Sequence, residues 1–189
     1  MSIALSAPVS SAMPCILLPM FLHLSYSSLI SSILFGLTLL AVAPICIVWV
    51  IEKRWDISID VPDRNTRLFL FPVAITCQVL SVVAFVLMHI GDMVAFSVLC
   101  LTVTASIFLL NLRFKASIHA AALAGSVTAL ALTFGPLVLP AYLFLVPVVW
   151  SRRKLRVHHF GELLVGALVG LLLGALLYRL PDLWGVIRF

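Results

Sequence analysis

From residue 68 to residue 112 the chain carries a single charged side chain, Asp92, and residues 116 to 151 carry none. Apolar runs of that length cannot all be buried in a water-soluble core of 189 residues, and each is long enough to cross the roughly 30 Å hydrocarbon layer as a helix. The composition agrees: 63% of residues are hydrophobic and 10% charged, with mean hydropathy +1.24, against about half apolar and a quarter charged for a soluble domain. A soluble enzyme, a disordered chain and a nucleic-acid-binding domain are excluded, despite a net charge of +5.

Lipid permits only helices or closed barrels. The runs lack the two-residue alternation of barrel strands, so the expected fold is all-α, a polytopic bundle of six transmembrane helices. The crossings are expected near 26–51, 68–90, 93–112, 118–135, 137–150 and 159–179, in one membrane domain spanning 26–189. Gly135 and Pro136 mark one turn and Asp92 another. Residues 1–25, with an apolar stretch of only about a dozen residues and no basic start, read as an interfacial segment. Cys15, Cys46, Cys77 and Cys100 are widely spaced in apolar surroundings and read as packing residues. Trp49, Trp55, Trp150 and Trp184 sit near expected helix ends and read as interface anchors.

The charges fall in three clusters: Glu52 to Arg67, Arg113 to Lys115, and Ser151 to Arg156. Two crossings separate each from the next, and an even number returns the chain to the same side. One face therefore gathers ten of the twelve Lys and Arg residues, with only Arg179 and Arg188 opposite. For Lys53, Arg54, Arg153 and Lys154 the positive-inside rule is explanation enough. Lys115 is different, because Ser117 and His119 follow it at an expected helix start. Arg152 is different too, because His158 follows it at another. Cations gathered at helix N-termini form an anion site, and Arg presents a planar fork to phosphate oxygens. Two histidines there can divide phosphoryl transfer, one attacking phosphorus and the other protonating the leaving oxygen. Glu162, four residues beyond His158, is placed to accept its ring N–H, or to serve as a first-turn carboxylate. Adjacent helical positions differ by about 100°, so His158 rather than His159 is the one expected to face Glu162. Gly166, Gly170 and Gly174 form a small-residue stripe, with Ala121 and Gly125 as its expected facing groove.

Ser151-Arg152-Arg153-Lys154-Leu155-Arg156-Val157-His158, with Glu162, matches SRxxxxxHxxxD except for Glu in place of Asp. Lys115-Ala116-Ser117-Ile118-His119 keeps the Ser and His of PSGH. Asp60-Val61-Pro62-Asp63-Arg64-Asn65-Thr66-Arg67 stands where KxxxxxxRP would, without its Lys or Pro. On these segments, spanning about 52–166, the chain resembles the type 2 phosphatidic acid phosphatase family. The resemblance implies a metal-independent, cofactor-free membrane phosphatase acting on a phospholipid or polyprenyl phosphate. By position, His158 is the implied nucleophile, Glu162 its orienter and His119 the acid. Arg152, Lys115, Ser117, Arg67 and Arg64 are the implied phosphate contacts. The implied substrate is a lipid phosphate and the implied setting a bilayer, with no nucleic-acid partner expected. A lipid phosphotransferase and a catalytically silent phospholipid-binding relative are the alternatives. The basic loops point the site toward the cytoplasm, whereas the resemblance implies the outer face of a bacterial inner membrane, and both remain open.

Overall fold

The computed structural model of the protein describes residues 7–22, 24–55 and 64–179, and the side chains of Trp55, Arg64 and Arg67 lie outside that set, as do Asp60, Asp63 and Trp184. Among the described residues there is no strand. The helices are α1 (Ala7–Phe21), α2 (Tyr26–Gly36), a π-helical segment (Leu37–Val42), α3 (Ala43–Trp55), α4 (Arg64–Leu87), α5 (Gly91–Asn111), α6 (Ile118–Phe134), a 3-10 segment (Pro136–Phe144), α7 (Leu145–Lys154) and α8 (Phe160–Arg179).

Four helical stretches among the described residues are apolar and long enough to cross a membrane: Tyr26–Ile51, Leu70–Leu87, Gly91–Asn111 and Phe160–Arg179. The expected count of six is therefore met in part. Ile118–Phe134 is a shorter apolar helix. The stretch 137–150 is not one α-helix, because Pro136 opens a 3-10 segment and Pro140 inside it has no N–H for an α-type bond.

Within the N-terminal stretch, Ala7–Phe21 forms a helix that packs on the bundle. Cys15 is fully buried and Leu18 nearly so, and α1 lies against α6 and the π-helical segment. Gly36 makes this crossing possible, since a Cβ there would meet Cys15 Cβ and Sγ at 3.2 Å. The π segment has a local cause. Pro44 offers no N–H to the carbonyl four residues back, Leu40. The Ser11 hydroxyl of α1 donates to that carbonyl at 2.8 Å, satisfying it in an environment without water.

Helices α4 and α5 form an antiparallel hairpin. Phe71 packs on Phe108 with ring centres 5.5 Å apart, and Gln78 Nε2 donates to Thr104 Oγ1 at 2.8 Å. Their connection is a Schellman turn: His89 takes φ 57°, its N–H reaches Val86 O, and Ile90 N–H reaches Phe85 O.

The tightest pairing is α6 with α8. Both run in the same direction from one end of the bundle, because Ser117 lies against Gly166, Ala121 against Gly170 and Thr128 against Gly174. A Cβ at Gly166 would collide with the Ser117 carbonyl oxygen, one at Gly170 with the Ala121 carbonyl oxygen, and one at Gly174 would stand 2.8 Å from Thr128 Cβ. The stripe is a backbone-to-backbone seam inside the bundle, which side chains would wedge apart.

Candidate active site

Because α6 and α8 start at the same end, their two N-termini converge, and each contributes the positive end of a helix dipole. Ser117 is the hinge of this convergence. It is fully buried; its N–H donates to the Glu162 carbonyl at 3.1 Å, and its hydroxyl caps α6 by accepting from the Ala120 N–H at 3.5 Å. The amide thus joins the two helices while the hydroxyl caps α6, a positioning role.

Asn111, absent from the residues that the sequence singles out, fixes the approach to Ser117. This buried side chain donates from Nδ2 to Ile107 O at 2.8 Å and to Ala116 O at 3.0 Å. It ties the end of α5 to the segment carrying Lys115 and Ser117. The available signal was a lone amide at the end of an apolar run, where an unpartnered polar group is costly.

The third cluster folds back on itself through a second Schellman turn. Arg156 takes φ 55°, its N–H meets Arg153 O at 3.0 Å, and Val157 N–H meets Arg152 O at 3.2 Å. Arg occupies a position usually held by Gly, at a cost of roughly 1–2 kcal/mol for the left-handed backbone. The reversal is what lets Arg152, at the end of α7, and His158, just before α8, face one place.

His158 Nδ1 lies 2.9 Å from Glu162 Oε2, and both side chains are mostly buried. The same Oε2 accepts the backbone N–H of His159 at 3.1 Å. Glu162 therefore contacts both the His158 imidazole and the backbone at the start of α8, where it completes half of a capping box. In the tautomer that donates Nδ1–H to the carboxylate, Nε2 is the ring nitrogen that bears the lone pair. His159 is exposed and its ring makes no such contact.

His119, in the first turn of α6, lies within electrostatic reach of both Arg152 and His158. Its Nδ1 is enclosed and makes no hydrogen bond with any described residue. Arg152 is 6% exposed, a position where a guanidinium is stable only among compensating groups. Lys115 is half-buried on the approach to Ser117.

The structure thus brings together His119, Arg152, His158, Glu162 and Ser117. The backbone of Arg64 and Arg67 belongs to the first turn of α4. Extending the α4–α5 register from the Phe71–Phe108 and Gln78–Thr104 pairs brings that turn level with the end of α5, at the same end of the bundle. No known protein family, curated protein or solved structure matches the chain.

Proposed function

We propose that the protein is an integral membrane lipid-phosphate phosphatase that removes a terminal phosphate through a phosphohistidine. The observation that carries this reading is the His158 Nδ1 to Glu162 contact at 2.9 Å, which leaves Nε2 as a nucleophile beside Arg152 and His119. In the first step Nε2 attacks phosphorus as the bond to the lipid alkoxide breaks. His119 gives its proton to that alkoxide, and the released lipid alcohol departs. In the second step His119 takes a proton from water, whose oxygen attacks phosphorus; the P–N bond breaks and inorganic phosphate leaves. Arg152, with the two helix N-termini, holds the charge that builds on the phosphoryl oxygens. Lys115, Arg67 and Arg64 are proposed as further cationic contacts from the same end of the bundle.

The finer reading of six crossings supports this arrangement. Helix α6 is about 25 Å long at 1.5 Å per residue. The 3-10 segment followed by α7 reaches about 33 Å, because the tighter helix rises about 2.0 Å per residue. The path down α6 and back through 136–154 is tied midway by Thr128 Oγ1 and Tyr142 Oη at 2.7 Å. It returns Arg152 to the level of His119.

The test is inorganic phosphate release by purified protein from detergent-dispersed phosphatidic acid and polyprenyl pyrophosphate, with a chelator present. Turnover that disappears in His158→Ala and His119→Ala, with a trapped phosphoenzyme missing in His158→Ala, is the expected result. Full activity in His158→Ala would overturn the assignment. Phosphate appearing on an added lipid acceptor instead of in solution would redefine the protein as a phosphotransferase.

A further inference from the structure

Arg152 is buried on the inner side of α7, whereas the two residues that follow it are exposed. Arg153 and Lys154 border a groove of about 660 Å3 whose remaining walls include Val146, Val149, Trp150 and Phe160. Every described side chain lining this groove is apolar or cationic. The Lys154 ammonium stands 4.8 Å from the centre of the Trp150 ring, which holds it over the apolar floor. The volume lies within the range of about 300–1,000 Å3 typical of small-molecule sites.

We infer that this groove docks one anionic phospholipid of the surrounding bilayer, with the phosphodiester against Arg153 and Lys154 and an acyl chain along Val146, Val149 and Phe160. The charge pattern selects this occupant. Two cations at the end of an apolar trough match a head group that is negative and a tail that is not, and among the described residues no carboxylate lines the groove to favour a cationic or zwitterionic head. Arg152 is not among the walls of this groove, and the site is independent of the proposed phosphatase reaction.

Native mass spectrometry of the detergent-solubilised full chain, titrated separately with phosphatidylglycerol and phosphatidylcholine, tests the inference. Phosphatidylglycerol is a diester without a terminal phosphate, so its binding does not report on the proposed reaction. One bound phosphatidylglycerol, retained in preference to phosphatidylcholine, is expected. Arg153→Gln and Lys154→Gln should each weaken it about fivefold, the equivalent of about 1 kcal/mol per interfacial charge. Val149→Trp, which fills the groove and keeps both charges, should displace it. Lys53→Gln with Arg54→Gln, exposed cations outside the groove, should leave it unchanged. Equal retention of the two lipids overturns the inference, as does wild-type affinity in Arg153→Gln/Lys154→Gln. So does an equal loss in the Lys53/Arg54 variant, which would mean surface charge alone. The Arg153 and Lys154 changes touch only exposed residues and remain decisive if bulk at Val149 disturbs α7.

Discussion

The Ser117 amide donates to the Glu162 carbonyl at 3.1 Å, so the helix that carries one candidate histidine begins against the first turn of the helix that follows the other. Packing and chemistry meet in that bond. What separates the two helices also separates the two imidazoles.

Glu162 holds an imidazole and a backbone amide with one oxygen, and the two functions can be pulled apart. Gln at this position still caps a helix, but it no longer stabilises a charged imidazole. Glu162→Gln should therefore keep its thermal midpoint in detergent while kcat for lipid phosphate falls at least about 10-fold and up to about 10⁴-fold, the loss seen when the carboxylate that orients a catalytic histidine becomes an amide. KM should change little. An equal fall in stability and kcat would reduce Glu162 to a cap.

The glycines of α8 make opposite predictions according to what faces them. Gly166 and Gly170 touch the backbone of α6, so Gly170→Ala should cost about 1–3 kcal/mol by overpacking. Gly166→Ala, at the level of Ser117, should lose turnover as well. Gly161 faces open space, with nothing within 4 Å of where a Cβ would stand, and Gly161→Ala should be neutral or stabilising by up to about 1 kcal/mol. Thermal unfolding in detergent, followed by circular dichroism, measures all three.

Arg156 occupies the left-handed region that a Schellman turn reserves for glycine. Arg156→Gly should raise the unfolding midpoint, by a gain of about 1 kcal/mol once the added chain entropy of glycine is offset. Arg156→Val, β-branched at the same backbone angles, should lower it. The same melting assay separates the two signs.

Ser11 and Leu40 form a pair whose reason is Pro44. Ser11→Ala should cost about 1–3 kcal/mol, because it leaves a buried carbonyl without its donor. Pro44→Ala supplies a new backbone N–H and should recover part of that loss in the double variant. A double-variant cycle with no coupling energy would mean the hydroxyl and the proline act separately.

Much of this arrangement is legible in local spacing. His158 and Glu162 are four apart, and the structure joins them. The Gly166, Gly170 and Gly174 stripe meets Ser117, Ala121, Gly125 and Thr128 because a repeat of four keeps small residues on one side of a helix. The pieces that escape a reading of the sequence depend on contacts between distant segments. Burial of α1 depends on the gap at Gly36, which hydropathy does not encode. The 3-10 path at Pro136–Phe144 reads as an ordinary short apolar run unless both prolines are weighed as missing donors. The hold of Asn111 on Ala116 exists only once the chain has turned, and the left-handed Arg156 carries no residue signature, since arginine seldom takes that position.

His158, Glu162, Gly166, Gly170 and Gly174 stand on a single four-residue ladder that enters and then follows α8. The rung that would react and the rungs that dock are in phase, about one turn apart. Adding one residue between Glu162 and Gly166 would swing the lower rungs about 100° away from α6 while leaving every side chain present. Adding one beyond Gly174 would leave the ladder intact. The chain should therefore tolerate changes of length at one end of α8 and none at the other, a constraint on spacing rather than on residue identity.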